Sequence, residues 1–406
     1  METTFDDGSF DARFSRRTVL AIAAAGAGVT ATTGFPDASF AADPADGPIL
    51  KPLPEQYFTV YGTNAEMRWD SVDPDRHRTP QPRLFVRNHT RTPRIDPHSY
   101  RLSIFGDGLR QTLTQDRAVS LSLRDLRRLP VTRATTVHEC TGNGRSFFGS
   151  QQGSPASGTQ WKLGAVGAVT WEGVRLADVL RRLGIRPDAV DLMPTGLDPD
   201  YVDKGVDYGA VRRPLPVRKA LDDALLAWGM NGRALLPDHG FPLRLVVPGW
   251  VGIASIKWLG SLEVSRSPLT SPWNTKWYRM TGGNWPADSP PLTVNPVRSA
   301  WEIAQGATLS RRGGQLLRGR SWSGAGPIRT VEVSIDGGDT WRRARLEDRH
   351  PAWTRWSFCW PGAGAGEHAL LARATDIHGR TQPRVARFND SGYFFDAVVG
   401  HPVVVP

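Results

Sequence analysis

"TTVHECTGNGRSFFGS", residues 135–150, carries one of the chain's two cysteines and sets the reading of everything around it. Residues with strand character, Thr135 to Val137, lead towards Cys140, and Thr141-Gly142-Asn143-Gly144 then turns the backbone away. A sulfur at a strand end, followed by glycines, stands clear of bulky neighbours. Pairing with Cys359 is the plain alternative, because an even cysteine count outside the cytoplasm usually means a disulfide. Against a disulfide stands the length: 406 residues bury a core without covalent staples.

That length accommodates two ordinary domains. With 39% hydrophobic residues, 22% charged and 15 tryptophans, the composition is that of a globular protein with aromatic-rich cores. The formal charge of +10 concentrates anions around the molecule. Its arginines and lysines are dispersed, and no basic run interleaves with aromatics, so the expected partner is a small anion and not nucleic acid. At the N-terminus, Ser15-Arg16-Arg17-Thr18-Val19-Leu20 sets paired arginines before an apolar stretch that ends near Ala31. The stretch is too short to span a bilayer comfortably, and Ser39 to Ala42 offer small residues for cleavage. Residues 1–42 thus resemble a twin-arginine signal, with a general secretory signal or short anchor as the alternative. The expectation is export to the periplasm, cell envelope or medium, and no membrane span in the remaining chain.

Outward from the cysteine, the first region mixes helix and strand. Leu176, Val179, Leu180 and Leu183 fall at helical spacing within Trp171–Gly184, where Gly184 stands as a stop. A similar pattern runs from Val217 to Trp228, and Phe241 to Val247 reads as a buried strand. Gly282-Gly283 and Pro286, Pro290, Pro291 and Pro296 mark a linker. Beyond it, Val331, Val333 and Ile335 alternate with polar residues, Asp336-Gly337-Gly338-Asp339 makes a hairpin turn, and Trp353–Trp360 and Ala369–Thr375 supply further strands. The predicted class is α+β: a mixed α/β domain over residues 43–280, then an immunoglobulin-like β-sandwich over 281–406.

Several catalytic motifs fail on inspection. Gly142 stands where a metalloprotease pattern starting at His138-Glu139 needs a second histidine. Residues 142–147 lack the third glycine of a dinucleotide loop, and Ser146 has no nucleophile elbow. No Cys-x-x-Cys-His attaches a haem. What remains is a set of cations at strand ends. Arg87 and His89 share one face of the extended segment Leu84–Thr90. Residues 238–260 add His239, Arg244 and Lys257 around a glycine-bearing turn, where backbone N–H groups approach phosphate readily.

Taken together, Arg87-Asn88-His89, Cys140 to Arg145, Gly196-Leu197-Asp198, residues 238–260, Trp277-Tyr278, Asn295–Trp301 and Ser321–Trp341 resemble the sulfite oxidase family of molybdopterin enzymes. The resemblance covers nearly everything after the signal. It implies a molybdopterin-binding domain followed by a dimerisation domain, hence a homodimer carrying one molybdenum–molybdopterin group per chain and no haem. It implies Cys140 as the protein ligand to molybdenum. Arg87, Asn88, His89, Asp198, His239, Arg244, Ser255, Ile256 and Lys257 would hold the pterin and its phosphate. Arg87, Arg145, Trp161 and Tyr278 would line the substrate pocket, and Cys140, Tyr278, Arg87 and Arg145 would carry catalysis. Cys359 is then expected to be a small buried hydrophobe. The implied reaction is oxidation of sulfite to sulfate by oxygen-atom transfer, with electrons passed to an external acceptor such as a c-type cytochrome. Family members from animals carry a basic residue where Gly144 stands, so the chain is more similar to the exported bacterial branch with its sulfane dehydrogenases. Action on protein-bound sulfur, and a catalytically silent binding module of the same fold, are the alternatives.

Overall fold

The computed structural model describes residues 47–406, except 312–313, 350–351 and 363. The signal read over residues 1–42 lies outside the described residues. The first region is built on two five-stranded sheets. In one, Leu215–Pro216, Asp191–Gly196, Leu259–Ser265, Leu102–Phe105 and Val119–Leu121 lie side by side, with Leu259–Ser265 and Leu102–Phe105 parallel. In the other, Leu225–Met230 pairs with Val166–Arg175 on one side and with Arg233–Ala234 and Arg244–Val246 on the other. Val131–Glu139 closes that sheet, running antiparallel to Val166–Arg175 from Val131 opposite Val174 to Glu139 opposite Val166.

That ladder places the cysteine. Cys140 prolongs the pairing by one bond, its N–H donating 2.9 Å to the Ala165 carbonyl. The chain then folds back, with Asn143 N–H on the Cys140 carbonyl at 2.9 Å and Arg145 N–H on the Gly142 carbonyl at 3.0 Å. Asn143 locks the turn from inside, its amide nitrogen bonding Glu139 at 2.9 Å and its amide oxygen accepting from Ala165 N–H at 3.1 Å. Gly144 has φ 84°, and a Cβ there would lie 3.1 Å from Arg298 Nη1 and 3.3 Å from Phe395 Cβ. A side chain at this position would meet strain and crowding together.

The helix expected over Trp171–Gly184 starts only at Leu176 and runs to Leu183, ended by Gly184 in the left-handed region at φ 77°. Trp171–Arg175 are strand instead, since Gly173 packs so close to Leu226 that its backbone belongs to the sheet. The pattern from Val217 likewise divides into a helix over Val217–Asp222 and a strand over Leu225–Met230. Of the stretch Phe241–Val247, Arg244–Val246 is strand.

The C-terminal region is a sandwich. Arg298–Trp301, Gln315–Trp322, Thr354–Trp360 and Arg345–Arg349 form one sheet. Ala307–Thr308, His401–Val405, Gly366–Asp376, Ile328–Ser334 and Arg342–Arg343 form the other. Trp301, Leu317, Val331, Val333, Trp356, Trp360, Leu370 and Val403 fill the space between them. The hairpin over 336–339 is present, with Val333 opposite Arg342. Cys359 is not buried as expected but exposed, because Trp356, Phe358 and Trp360 take the inward alternation of their strand and leave Cys359 facing out. Neither cysteine is in a disulfide. Among the described residues no helix is long and apolar enough to cross a membrane.

Candidate active site

Cys140, buried with 7% of its surface exposed, borders a cleft. Its walls include Arg87, Asn88, His89, Cys140, Asp198, His239, Arg244, Ser255, Ile256, Lys257 and Tyr278. Gly252 closes the cleft against the cysteine strand: a Cβ on it would sit 2.8 Å from the Glu139 carbonyl oxygen. Arg145 and Trp161, expected in the substrate pocket, are not among these lining residues. Arg145 is held by its Nε on the Ser391 carbonyl and its Nη1 on the Thr159 carbonyl, both at 2.7 Å. Trp161 is packed edge-on to Phe85 and Tyr61.

Several lining side chains are held by a neighbour. Asn88 receives the Lys257 ammonium on its amide oxygen and donates from its amide nitrogen to Thr92 at 2.9 Å. Lys257 also donates to the Asp238 carbonyl at 2.8 Å. The Asp238 carboxylate accepts from Leu50 N–H at 2.9 Å, Lys51 N–H at 2.7 Å and the Thr92 hydroxyl at 2.6 Å. Arg244 donates to the carbonyls of His239 and Ser255, each at 3.0 Å, and lies 4.8 Å over the Trp171 ring. The Ser255 hydroxyl accepts from Val247 N–H at 3.0 Å, and the Ile256 carbonyl from Leu245 N–H at 2.8 Å.

His89 accepts a hydrogen bond on Nε2 from the Trp273 indole at 3.0 Å, so its ring proton resides on Nδ1. Burial, with Arg87 and Lys257 nearby, holds this imidazole well below its ordinary pKa and keeps it neutral. Burial does the same to His138 and His239, pushes Arg244 down to about 9, and lowers Lys257 well below the usual lysine value, with Arg244 adding to the effect. The Cys140 thiol is pushed up by burial, opposed by Arg87.

His138 was passed over in the sequence, although strand alternation puts it on the face of Cys140. It lines the cleft, stacks 5.6 Å from Phe85 and brings Nε2 within 3.4 Å of Arg244 Nη2. Four other contributors carried no local signal: Asp238, Tyr393, Glu139 and Arg298. Glu139 is wholly buried, ion-paired with Arg298 at 2.8 Å and bonded by the Trp322 indole at 3.0 Å. Arg298 also donates to the Asn143 carbonyl at 2.8 Å, so the sandwich region braces the cysteine turn from behind.

The chain matches the oxidoreductase molybdopterin binding domain over residues 89–273 and the Mo-co oxidoreductase dimerisation domain over residues 303–396. It is 35% identical over 371 residues to sulfite oxidase of Gallus gallus, covering 86% of this chain and 76% of that protein. Mitochondrial sulfite oxidase of Rattus norvegicus is 36% identical over 324 residues, covering 75% of this chain and 57% of that protein. The chain therefore spans little more than half the length of several of its mammalian relatives. Among solved structures, the sulfane dehydrogenase SoxCD from Paracoccus pantotrophus superposes with a TM-score of 0.71 at 26% identity, over 92% of this chain and 96% of that one. The chain belongs to the sulfite oxidase family.

The cleft's own chemistry fits a molybdenum–molybdopterin group. Arg244 Nε and Asp198 Oδ1 are buried without a hydrogen-bond partner, and Arg87, Arg244 and Lys257 line the same cleft. A phosphate-bearing ligand with ring N–H donors answers both needs. Burial raises the Asp198 carboxyl from 3.8 to about 6, since only Val211 N–H, at 3.2 Å, bonds it. With nothing bound, the folded state holds this proton more tightly than the unfolded one. The resulting stabilisation is complete below about pH 3.8 and is lost as pH rises through about 6. Cofactor-free protein is thus expected to lose at most about 3 kcal/mol between pH 4 and 6.5 that Asp198→Asn does not lose, measured by urea unfolding.

Proposed function

We propose that the protein oxidises sulfite to sulfate, using a molybdenum–molybdopterin group in this cleft, and delivers the electrons to an external acceptor such as a c-type cytochrome. The observation that carries the reading is a free thiol at a rigid strand end, opening on a cleft lined by Arg87, Arg244 and Lys257. Cys140 would ligate the metal, a role suited to a soft thiolate. His89, Asn88, Asp198, His239, Arg244 and Ser255 to Lys257 would hold the pterin and its phosphate. When bound, the group supplies a redox-active metal able to transfer an oxygen atom and take up two electrons.

The chain's own part is binding and orientation. Arg87 meets an oxyanion of sulfur with a guanidinium already anchored through Nη1 to the Asn88 carbonyl. Arg145, held in place by two carbonyls, adds a second positive charge close to Cys140. Burial raises the Tyr278 phenol, which keeps its proton and donates it as a hydrogen bond towards developing charge. Partial burial makes each of these charges count for more than in open water. The dimerisation-domain match supports a homodimer, and the paired arginines Arg16 and Arg17 support export as a folded protein.

Likeness to SoxCD across almost the whole chain favours one second reading, action on protein-bound sulfur. Protein produced with ample molybdate and assayed with ferricyanide as acceptor separates the two. Turnover of sulfite, and little with thiosulfate, is expected; the reverse preference assigns the second reading. Within the first, Arg87→Gln is expected to raise the KM for sulfite at least about ten-fold, equivalent to one lost charge-assisted contact, with kcat within a few-fold. An unchanged KM removes Arg87 from the pocket.

A further inference from the structure

The cleft tyrosine is held in an unusual backbone state, and its support comes from a distant part of the chain. Tyr278 has φ 57°, in the left-handed region that a bulky residue enters only at a cost. Such a conformation persists where its surroundings over-determine it. Next to it lies Tyr393, 8% exposed, its ring stacked on that of Tyr278 with centroids 5.2 Å apart and planes 12° from parallel. The Tyr278 carbonyl accepts Leu292 N–H at 2.8 Å.

Tyr393 is itself tightly fixed. Asn389, wholly buried, takes its N–H at 2.9 Å and returns a bond to its carbonyl at 2.8 Å. The next residue, Phe394, also has positive φ (52°) and donates its N–H 3.0 Å to the Thr141 carbonyl, beside Cys140. The Arg145 guanidinium stands 5.6 Å from the Tyr393 ring centroid, and the Arg213 guanidinium 5.7 Å from that of Tyr278. Two cations and two stacked rings therefore form one buried unit against the cleft.

We propose that Tyr393 is a positioning residue: its ring, stacked on that of Tyr278, holds Tyr278 in the left-handed conformation that aims the Tyr278 phenol into the cleft. Tyr393 is not among the cleft-lining residues, so it acts through Tyr278. The catalytic part of this inference rests on the sulfite-oxidising reading, while its structural part stands without it.

The test is Tyr393→Leu, which keeps an apolar side chain and removes the ring stacked on Tyr278. Hydrogen exchange of the Leu292 amide, which is bonded to the Tyr278 carbonyl, is followed by mass spectrometry on peptides containing residue 292, and sulfite turnover is followed in four proteins: wild type, Tyr393→Leu, Tyr278→Phe and the double variant. Exchange at Leu292 is expected to rise at least about ten-fold, the loss of one hydrogen bond's protection, with the folded circular dichroism signal retained. The kcat for sulfite should fall about ten-fold in the wild-type background and less than about two-fold in the Tyr278→Phe background, because the two residues act as a unit. Unchanged exchange overturns the proposal, as does an equal loss of kcat in both backgrounds. Wild-type protein that does not turn over sulfite overturns the functional reading instead, and the exchange result then judges the positioning role alone.

Discussion

Cys140→Ser is expected to purify with its pterin and to lose sulfite turnover by at least about a thousand-fold, the scale seen when a residue central to the chemistry is removed. Serine preserves the size of the side chain and the bond from the backbone N–H to the Ala165 carbonyl, so the turn should fold unchanged. What it cannot reproduce is the polarizable sulfur, since a neutral hydroxyl is a poor, hard ligand beside a thiolate. Pterin retention follows from the anchors: Asn88, His89, Arg244 and Lys257 are fixed by their own hydrogen bonds and owe nothing to the thiol. Metal and pterin assays on the same sample, with circular dichroism to confirm folding, check both halves. Full turnover in the serine variant would remove Cys140 from the metal.

Arg298→Ala is the substitution expected to harm stability most, by about 3–5 kcal/mol, the usual cost of stranding one charge of a buried pair. Glu139 is completely buried, and burial pushes its carboxyl up while Arg298 works in the opposite direction. Without the arginine the carboxylate keeps only the Asn143 amide and the Trp322 indole, and the turn loses the bond on the Asn143 carbonyl. Glu139 would then hold its proton more tightly when folded than unfolded. The deficit should therefore be smallest below about pH 4.5 and should widen as pH rises, and Arg298→Ala with Glu139→Gln should recover part of it near neutral pH. Urea unfolding at pH 5 and pH 7.5 measures this directly. A loss under about 1 kcal/mol at both values would show that the pair contributes no more than a surface contact.

Much of the site was legible because strands write their faces in alternation. Arg87 and His89 share a face, and both line the cleft. His138 shares the face of Cys140 by the same rule, and its neighbour Glu139, on the opposite face, points back into the sandwich region. The helix boundaries were harder to read. Trp171 and Val174 continue the apolar run into Leu176, and a strand buried on both faces looks like the buried stripe of a helix, so Gly173 was the only local hint of a sheet. Cys359 was misjudged for a simpler reason: Phe358 and Trp360 beside it are buried, and their alternation puts the intervening side chain outside. Tyr393 and Arg298 could not have been found by pattern. Arg298 reaches Asn143 from 155 positions away, and Tyr393 reaches Tyr278 across two regions of different architecture.

The segment from Asn389 to Phe395 has a bearing on how the protein is made. It bonds Thr141 and Arg145, receives Arg298 on the Phe395 carbonyl, and stacks on Tyr278, yet it follows every other wall-forming segment along the chain. A nascent chain still on the ribosome at residue 380 has all the cleft's anchoring groups but not the piece that steadies them. The chamber reaches its finished shape only after synthesis has passed that segment.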